Sequence, residues 1–519
     1  LYSSPATIYV PRDFATIQKA IDSAADGDIV EVAPGTYRGD GNRDIDFRGK
    51  AIAVRSEASP SQTIIDCTER GHRGFYFHQA EGPSSILRGF TIIGARMPGS
   101  EIPPDYARWS SSPAHPVGGG VFCEFSSPSI VDCVIKQCAA ELGGGIGSVG
   151  GAPTIVDCAI EQCQAGGQGP AESGGRGAGI ALIRGSNAKI VNCTIKNNSG
   201  FYNSHGAGVY CWQSNALLAN CDISFNSAQS NIKGGGIYCG GSSTRVELEH
   251  CVISNNTADA GGGVFIGPLG DAPQDNVVEY ARVTNCTVAH NKLARLQMAS
   301  LAGGGIHSVS SDIVIRNSIV WYNDGTAVLL LDPASNSPVL YSNIERGYPG
   351  QGNINTAPLF TSAVDYHLKS IYGRYEPRSG KWVADNDHSP CIDAGDPQDA
   401  VGPEPLPNGR RINMGAYGGT REASKSADPL IFHVDRASGS DFNTGRSRAR
   451  AFATIQKAVD EAINGDTILV WPGVYQEEIT FNRKAITLQS ADHAAQVSAP
   501  GGFAFSFYGA ESSMSVLRN

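Results

Sequence analysis

The sequence predicts an all-β fold, a right-handed parallel β-helix in which short parallel strands wind into a solenoid of three-strand coils. Three observations predict it: a strand motif that returns every 25 to 35 residues, a glycine-rich motif before each copy, and a composition of 63 glycines with only 17% charged residues. Such glycine-rich sequence with little charge favours short strands and tight turns over helices. The hydrophobic fraction of 41% argues against a disordered chain.

The strand motif is clearest in two adjacent copies. Ile-Val-Asp-Cys-Val-Ile-Lys-Gln-Cys at 130–138 returns 25 residues later as Ile-Val-Asp-Cys-Ala-Ile-Glu-Gln-Cys at 155–163. The first cysteine of each copy belongs to a series that continues along the chain. We expect these side chains to stack as an inward file of small buried thiols, because equivalent strands of successive coils lie about 4.8 Å apart. The file is Cys133, Cys158, Cys193, Cys221, Cys251 and Cys286.

A second series lies five residues further on in each copy. It starts with Cys138 and Cys163 and continues with asparagines. Asparagine tolerates left-handed backbone and carries both a donor and an acceptor, so a ladder of stacked amides is expected at this turn. Cys138 and Cys163 are either buried thiols or a disulfide, since neighbouring coils are close enough for one. The asparagines are Asn198, Asn226, Asn256, Asn291 and Asn323.

One segment near the start of the chain recurs near its end. Phe14–Ala20 is repeated without change at Phe452–Ala458. Its apolar side chains have helical spacing, which predicts an amphipathic helix near 13–25 that covers the open end of the solenoid, and a copy near 451–463. A second β-helix is therefore expected to start after the first. The predicted domains are a β-helix over 1–420, a linker over 421–430 and the N-terminal part of a second β-helix over 431–519.

The repeats resemble those of the pectate-lyase-like superfamily of right-handed β-helices. The pairing of Gly-Gly-Gly-Ile at 234–237 with a later asparagine turn also resembles the repeats of polymorphic outer-membrane proteins, which are surface adhesins. The resemblance covers most of 1–420 and implies the fold rather than one activity, because the superfamily hosts lyases, hydrolases, epimerases, esterases and adhesins. It implies an extracellular or cell-surface protein. The chain begins at Leu1 rather than Met, so a secretory leader is expected to have been removed.

Charge and hydropathy limit the classes of binding partner that are expected. There are 40 basic and 50 acidic residues, and the net charge of -10 argues against nucleic acid, which needs a basic face. No apolar run approaches the roughly 18 residues of a membrane span. The expected partners are therefore a polysaccharide or other copies of the chain itself.

The insertions between the asparagine turn and the next glycine motif all fall at one point of the coil, so they are expected on one flank of the solenoid. Aromatic rings there can stack on sugar faces, and arginine can pair with uronate or sulfate groups. The sequence thus predicts a groove for an extended glycan. The predicted glycan-binding residues are Tyr106, Arg108, Trp109, His115, Arg176 and Tyr202.

The same flank also offers candidates for catalysis. Elimination beside a uronate needs a cation for the carboxylate and a base for the proton, and hydrolysis needs two facing carboxyl groups. No tight catalytic motif is present. Two hypotheses therefore stay open: a glycan-binding, adhesive or structural module, and a polysaccharide-degrading enzyme, most plausibly a lyase acting on a uronate polymer. The candidates for catalysis are Arg176, Tyr202, His205 and Lys233 for a lyase and Glu141 and Glu172 for a hydrolase.

A closing segment near 358–419 carries the candidate cation ligands. Asp387 and Asp396 could hold a Ca²⁺ ion, and no other cofactor is indicated. The alternative for both residues is an Asx turn, in which the carboxylate accepts nearby backbone N–H groups.

Overall fold

The structure is a computed structural model of the 519-residue chain, and its described residues form two compact units. One unit is Leu1–Val314 with Val320–Ser337, and the other is Ile315–Ile319 with Pro338–Asn519. The described residues are 4–69, 71–97, 117–166, 175–201, 204–228, 232–268, 280–295, 302–309, 312–331, 337–427, 430–463, 465–482, 484, 486–499, 501–506 and 516–518.

The first unit is built from coils that pass through three long parallel sheets, here called A, B and C in the order in which each coil visits them. This is the predicted right-handed parallel β-helix. The strands of sheet A are Thr7–Val10, Ile29–Val32, Ala53–Ser56, Ile86–Arg88, Ser129–Val131, Thr154–Val156, Asn187–Val191, Asn215–Ala219, Arg245–Glu249, Tyr280–Thr284 and Ile313–Arg316. Those of sheet B are Gly35–Tyr37, Thr63–Asp66, Thr91–Ile93, Val134–Lys136, Ala159–Glu161, Thr194–Lys196, Asp222–Ser224, Val252–Ser254, Thr287–Ala289 and Ile319–Trp321.

Sheet C follows the glycine motifs, and a short fourth parallel sheet, D, lies between sheets B and C along the chain. The strands of sheet C are Ile45–Asp46, Phe75–Phe77, Val121–Glu124, Ile146–Val149, Ile180–Ile183, Val209–Trp212, Ile237–Gly240, Val264–Ile266, Gly303–Ser308 and Thr326–Leu330. Those of sheet D are Ala139–Ala140, Gln164–Ala165, Ser199–Gly200, Ser227–Ala228, Thr257–Ala258 and Lys292–Leu293.

The predicted capping helix is present as α1, Ile17–Ser23, and packs on the first strands of sheets A and C. Its inward residues Ile17, Ala20 and Ile21 are fully buried. The helix is shorter than predicted because the Thr16 hydroxyl caps its start by accepting the Lys19 N–H.

The two repeat files fill the interior of the first unit. All thirteen cysteines are buried free thiols, including Cys138 and Cys163, so the disulfide alternative is not realised. The asparagine ladder is confirmed: Asn198 Nδ2 donates to Asn226 Oδ1 at 3.0 Å, and Asn226 Nδ2 donates to Asn256 Oδ1 at 3.0 Å. Each rung therefore satisfies its neighbour's amide inside a dry core.

The second unit repeats the opening of the first. Helix α2, Ile455–Glu461, is capped by Thr454, whose side chain accepts the Lys457 N–H. The domain boundaries at 420 and 431 stay a prediction. The remaining elements of this unit are Val339–Leu340 and Asn343–Ile344, the antiparallel pair Arg374–Glu376 and Lys381–Val383, the 3₁₀ turn Arg448–Arg450, the parallel sheet Ile431–Val434, Thr467–Val470, Thr487–Ser490 and Val516–Arg518, and the parallel pairs Gly473–Gln476 with Ala495–Ser498 and Ile479–Thr480 with Phe505–Ser506.

Candidate functional site

The outer face of sheet C carries a column of stacked aromatic rings. The parallel register places Tyr210, Tyr238 and Phe265 on consecutive strands, and their side chains point away from the coil interior. The ring centroids of Tyr210 and Tyr238 are 5.1 Å apart, and those of Tyr238 and Phe265 are 5.6 Å apart. All three residues are at most 2% exposed. This column forms a buried layer outside the sheet rather than an open stacking platform.

Side chains at the edge of sheet C cover this column, and they include four of the predicted catalytic residues. Arg176 and His205 are paired on adjacent coils, and Lys233 follows on the next coil, where its backbone N–H donates to His205 Nδ1 at 3.2 Å. Glu141 precedes them, and its carbonyl accepts the Arg176 N–H at 2.8 Å. We call Glu141, Arg176, His205 and Lys233 the edge file.

The edge file packs its cations over the rings. The Arg176 guanidinium lies 5.9 Å from the centre of the Tyr210 ring, and the Lys233 ammonium lies 5.0 Å from the centre of the Phe265 ring. Arg176 was expected to be exposed, but it is partly buried because its guanidinium lies over the Tyr210 ring. The Lys233 ammonium also donates to the Pro268 carbonyl at 3.2 Å.

Burial changes the acid–base properties of this file. Burial raises the pKa of Glu141 to about 7, although the positive charge of Arg176 opposes the shift. Burial, together with the charges of Arg176 and Lys233, lowers the pKa of His205 to about 3. His205 is therefore neutral at physiological pH and too weakly basic to remove a proton from carbon efficiently. Between these two groups, Glu141 has the pKa better suited to proton transfer near neutral pH.

Six of the predicted site residues belong to the insertions between sheets D and C in the sequence. Sheet D ends and sheet C begins at the same position of each coil. The predicted residues that lie outside the described residues are Tyr106, Arg108, Trp109, His115, Glu172 and Tyr202.

The first coils of the same outer face hold a polar cluster that the sequence did not single out. The Tyr76 hydroxyl donates to Glu124 Oε2 at 2.5 Å, and both residues are less than 5% exposed. Arg73 is fully buried with its guanidinium 4.9 Å from the Tyr76 ring centre, and burial lowers its pKa to about 10. His78 stacks on Tyr76 at 4.0 Å and lies 3.2 Å from Asp46 Oδ2. The sequence did carry a signal for this cluster. Side chains alternate between the two faces of a strand, so Tyr76 points outward where Phe75 and Phe77 point inward.

The predicted cation ligands have other partners. Asp387 accepts a hydrogen bond from the Lys369 ammonium at 3.1 Å, and the Asp396 carboxylate lies 2.7 Å from the Arg316 guanidinium. Asp396 also accepts the Gln398 N–H at 2.9 Å, which is the Asx-turn alternative. Within the described part of the chain, no group of three or more His, Cys, Asp or Glu side chains could hold a metal ion. Asp387 thus serves an ion pair, and Asp396 serves an ion pair and a turn.

Comparison with known proteins agrees with the coil geometry. A family model described as a right-handed β-helix region matches residues 173–353. The protein is a right-handed parallel β-helix. No protein of curated function matches it at the sequence level. None of the helices in the described ranges is long and apolar enough to cross a membrane.

Solved structures with a similar fold are distant from this β-helix. The chain is 12% identical to the pectate lyase Pel9A, with 80% of this chain and 96% of that one covered and a TM-score of 0.43. It is 11% identical to AlyGC, an alginate lyase of family PL6, with 95% and 68% covered and a TM-score of 0.31. A pectin methylesterase in complex with a hexasaccharide is 11% identical, with 64% and 95% covered and a TM-score of 0.30. Likeness at this distance assigns no activity.

Proposed function

We propose that this β-helix is an extracellular glycan-binding module, adhesive or structural, which holds an extended polysaccharide along the flank formed by the edge file. The observation that carries the proposal is the edge file itself. Arg176, His205 and Lys233 are partly exposed and occupy successive coils at one edge of sheet C, next to the buried Glu141. A polymer with a regular repeat fits such a periodic row of hydrogen-bonding groups better than a compact ligand does.

Arg176 is the residue on this flank that can recognise an acidic sugar. Its planar guanidinium can donate two parallel hydrogen bonds to a uronate carboxylate. The Lys233 ammonium adds a second positive charge one coil beyond His205, although it also holds the Pro268 carbonyl. The predicted glycan-binding residues of the insertions, Trp109 and Tyr202 among them, would supply the stacking surfaces, because the rings of sheet C are buried.

The test is affinity electrophoresis of the purified chain in gels that contain uronate or neutral polysaccharides. Arg176→Ala is expected to weaken retention by a uronate polymer about tenfold or more, which corresponds to one charge-assisted hydrogen bond of about 1.5–3 kcal/mol. The matched control is Arg88→Ala, an exposed arginine at the end of a sheet A strand, which should bind like the wild type. Equal retention of both variants and the wild type, or no retention by any polymer, would refute the proposal.

A second candidate function is a polysaccharide-degrading enzyme, most plausibly a lyase acting on a uronate polymer. Glu141 favours it, because a carboxyl group with a pKa of about 7 can exchange a proton at neutral pH. Incubation with uronate polymers would then release products with an ultraviolet-absorbing double bond, and Glu141→Gln would abolish the release. New reducing ends without that absorbance would indicate a hydrolase. If neither product appears, the enzyme hypothesis is refuted and glycan binding is the remaining proposal.

A further inference from the structure

We propose a second glycan-binding surface on the first unit, on the outer side of the turn between sheets B and D, which takes a uronate-containing polysaccharide lying along the solenoid axis. It uses none of the residues of the edge file and does not depend on it. We call this row of outward side chains the turn ladder. Its members are Gln137, Gln162, Asn197, Phe225, Asn255, His290 and Tyr322.

The backbone of the turn aims every member of the turn ladder outward. Each member has a left-handed conformation with φ between 55° and 59°. The residue that follows each of them is buried in the core: Cys138 and Cys163 follow the two glutamines, and the asparagines of the buried amide ladder follow the other five. The turn ladder is therefore the outer counterpart of the asparagine ladder, with one side chain for each coil.

Two members of the turn ladder are unusual for this backbone. Asparagine adopts left-handed φ readily, as at Asn197, but a bulky ring does so at a cost. Phe225 and Tyr322 nevertheless occupy it, and their residues remain 46% and 45% exposed. Strained residues of this kind cluster at functional sites.

The C-terminal half of the ladder is rich in aromatic rings. The His290 and Tyr322 rings are stacked, with centroids 4.9 Å apart and an interplanar angle of 18°. Phe225 stands two coils before His290. The two exposed rings, Phe225 and Tyr322, stand three coils apart and can contact the apolar faces of separate sugars in an extended chain.

The N-terminal half of the ladder opens into a polar cleft. This cleft has a volume of about 590 Å³, within the range of small-molecule sites. Gln137 Nε2 donates to Gln162 Oε1 at 3.3 Å, and each amide keeps further donors or acceptors for sugar hydroxyls. The lining is Thr68, Gly94, Arg96, Gln137, Gln162 and Gln164.

Charge indicates which class of glycan suits the cleft. Among the described residues that line it, none is acidic, although the protein carries a net charge of -10. Arg96 is exposed and supplies the positive charge of the lining. A guanidinium beside a row of amides suits a sugar that has both a carboxylate and hydroxyl groups, which is a uronate.

The experiment measures retention of the full chain in affinity gels containing polygalacturonate, alginate or a neutral β-glucan. Phe225→Asn places the residue type best suited to the turn and removes the ring. It is expected to weaken retention by a uronate polymer at least about tenfold without lowering the thermal unfolding midpoint. Arg96→Gln should weaken retention by the uronate polymers and leave retention by the β-glucan unchanged.

Phe125→Asn is the matched control, because Phe125 is also a left-handed and exposed phenylalanine, at φ 48° and 56% exposure, but lies outside the turn ladder. It should bind like the wild type. The inference is overturned if Phe225→Asn binds like the wild type, if Phe125→Asn loses as much affinity, or if no uronate polymer retains the wild type. Arg176→Ala in the same gels reports on the edge file separately, so failure of either surface is visible without the other.

Discussion

Cysteine acts in this protein as a small core side chain rather than as a cross-link. Cys221 is 2% exposed, and its thiol donates to the carbonyls of Ile190 and Ala219 at 3.5 and 3.3 Å. Burial raises the pKa of Cys239 to about 12, which leaves this thiol protonated at neutral pH. Ser318 occupies the equivalent position of a later copy and donates to the Arg316 carbonyl in the same manner.

Substitution of Cys221 tests this role. Cys221→Asp is expected to lower the free energy of unfolding by about 3 kcal/mol or more, because it buries an unpaired carboxyl group. Cys221→Ser should cost much less, since Ser318 shows that a hydroxyl can bond the same strand carbonyl. Chemical denaturation of both variants measures the difference. Rapid labelling of the native wild-type thiols would contradict the buried assignment.

The asparagine ladder is the element that joins neighbouring coils through side chains. Asn226 donates to the Ile195 carbonyl at 2.8 Å and to Asn256, and its oxygen accepts both the backbone and side-chain N–H of Asn198. All these atoms are buried. A break in one rung therefore leaves partners unsatisfied on the coils at both sides.

Asn226→Ala is expected to destabilise the first unit by about 3 kcal/mol or more, because several buried groups lose their partner together. Asn187→Ala, at an exposed position of a sheet A strand, should stay within about 0.5 kcal/mol of the wild type. Denaturant unfolding followed by circular dichroism gives both values. Similar midpoints for the two variants would show that the ladder contributes little.

At the scale of the whole molecule, stability is expected to depend on pH through carboxyl groups buried in the second unit. Glu404 accepts the backbone N–H groups of Asn413 and Gly419 at 2.8 and 2.7 Å, yet burial raises its pKa to about 8. Burial raises the pKa of Asp393 to about 7. Both groups hold their protons more tightly in the folded chain than in the unfolded one.

The free energy of unfolding should therefore fall as the pH rises from the ordinary glutamate value of 4.5 to about 8, because folding then requires these groups to bind a proton or bury a charge. Glu404→Gln keeps the acceptor oxygen and should reduce this loss of stability. The part of the loss that comes from Asp393 should remain. Thermal unfolding of the wild type and variant across this pH range measures the slope. Glu478→Gln, at an exposed position, is the control and should leave the slope unchanged.

The fold follows from the sequence because a repeating coil imposes the same environment on each copy. A period of 25 to 35 residues, the cysteine file and the Asn198 to Asn323 series each mark one inward position, so the sheets, the ladder and helices α1 and α2 could be predicted. The edge residues Arg176, His205 and Lys233 could be assigned to adjacent coils for the same reason.

The direction and burial of the outward side chains depend on the tertiary structure. No periodicity distinguishes the covered ring of Tyr238 from the exposed ring of Phe225, because cover comes from residues distant in sequence. The pKa of Glu141 likewise depends on burial beside Arg176. Inward positions are determined by a local repeat that is visible in the chain, whereas outward positions are determined by the neighbours that the fold brings to them.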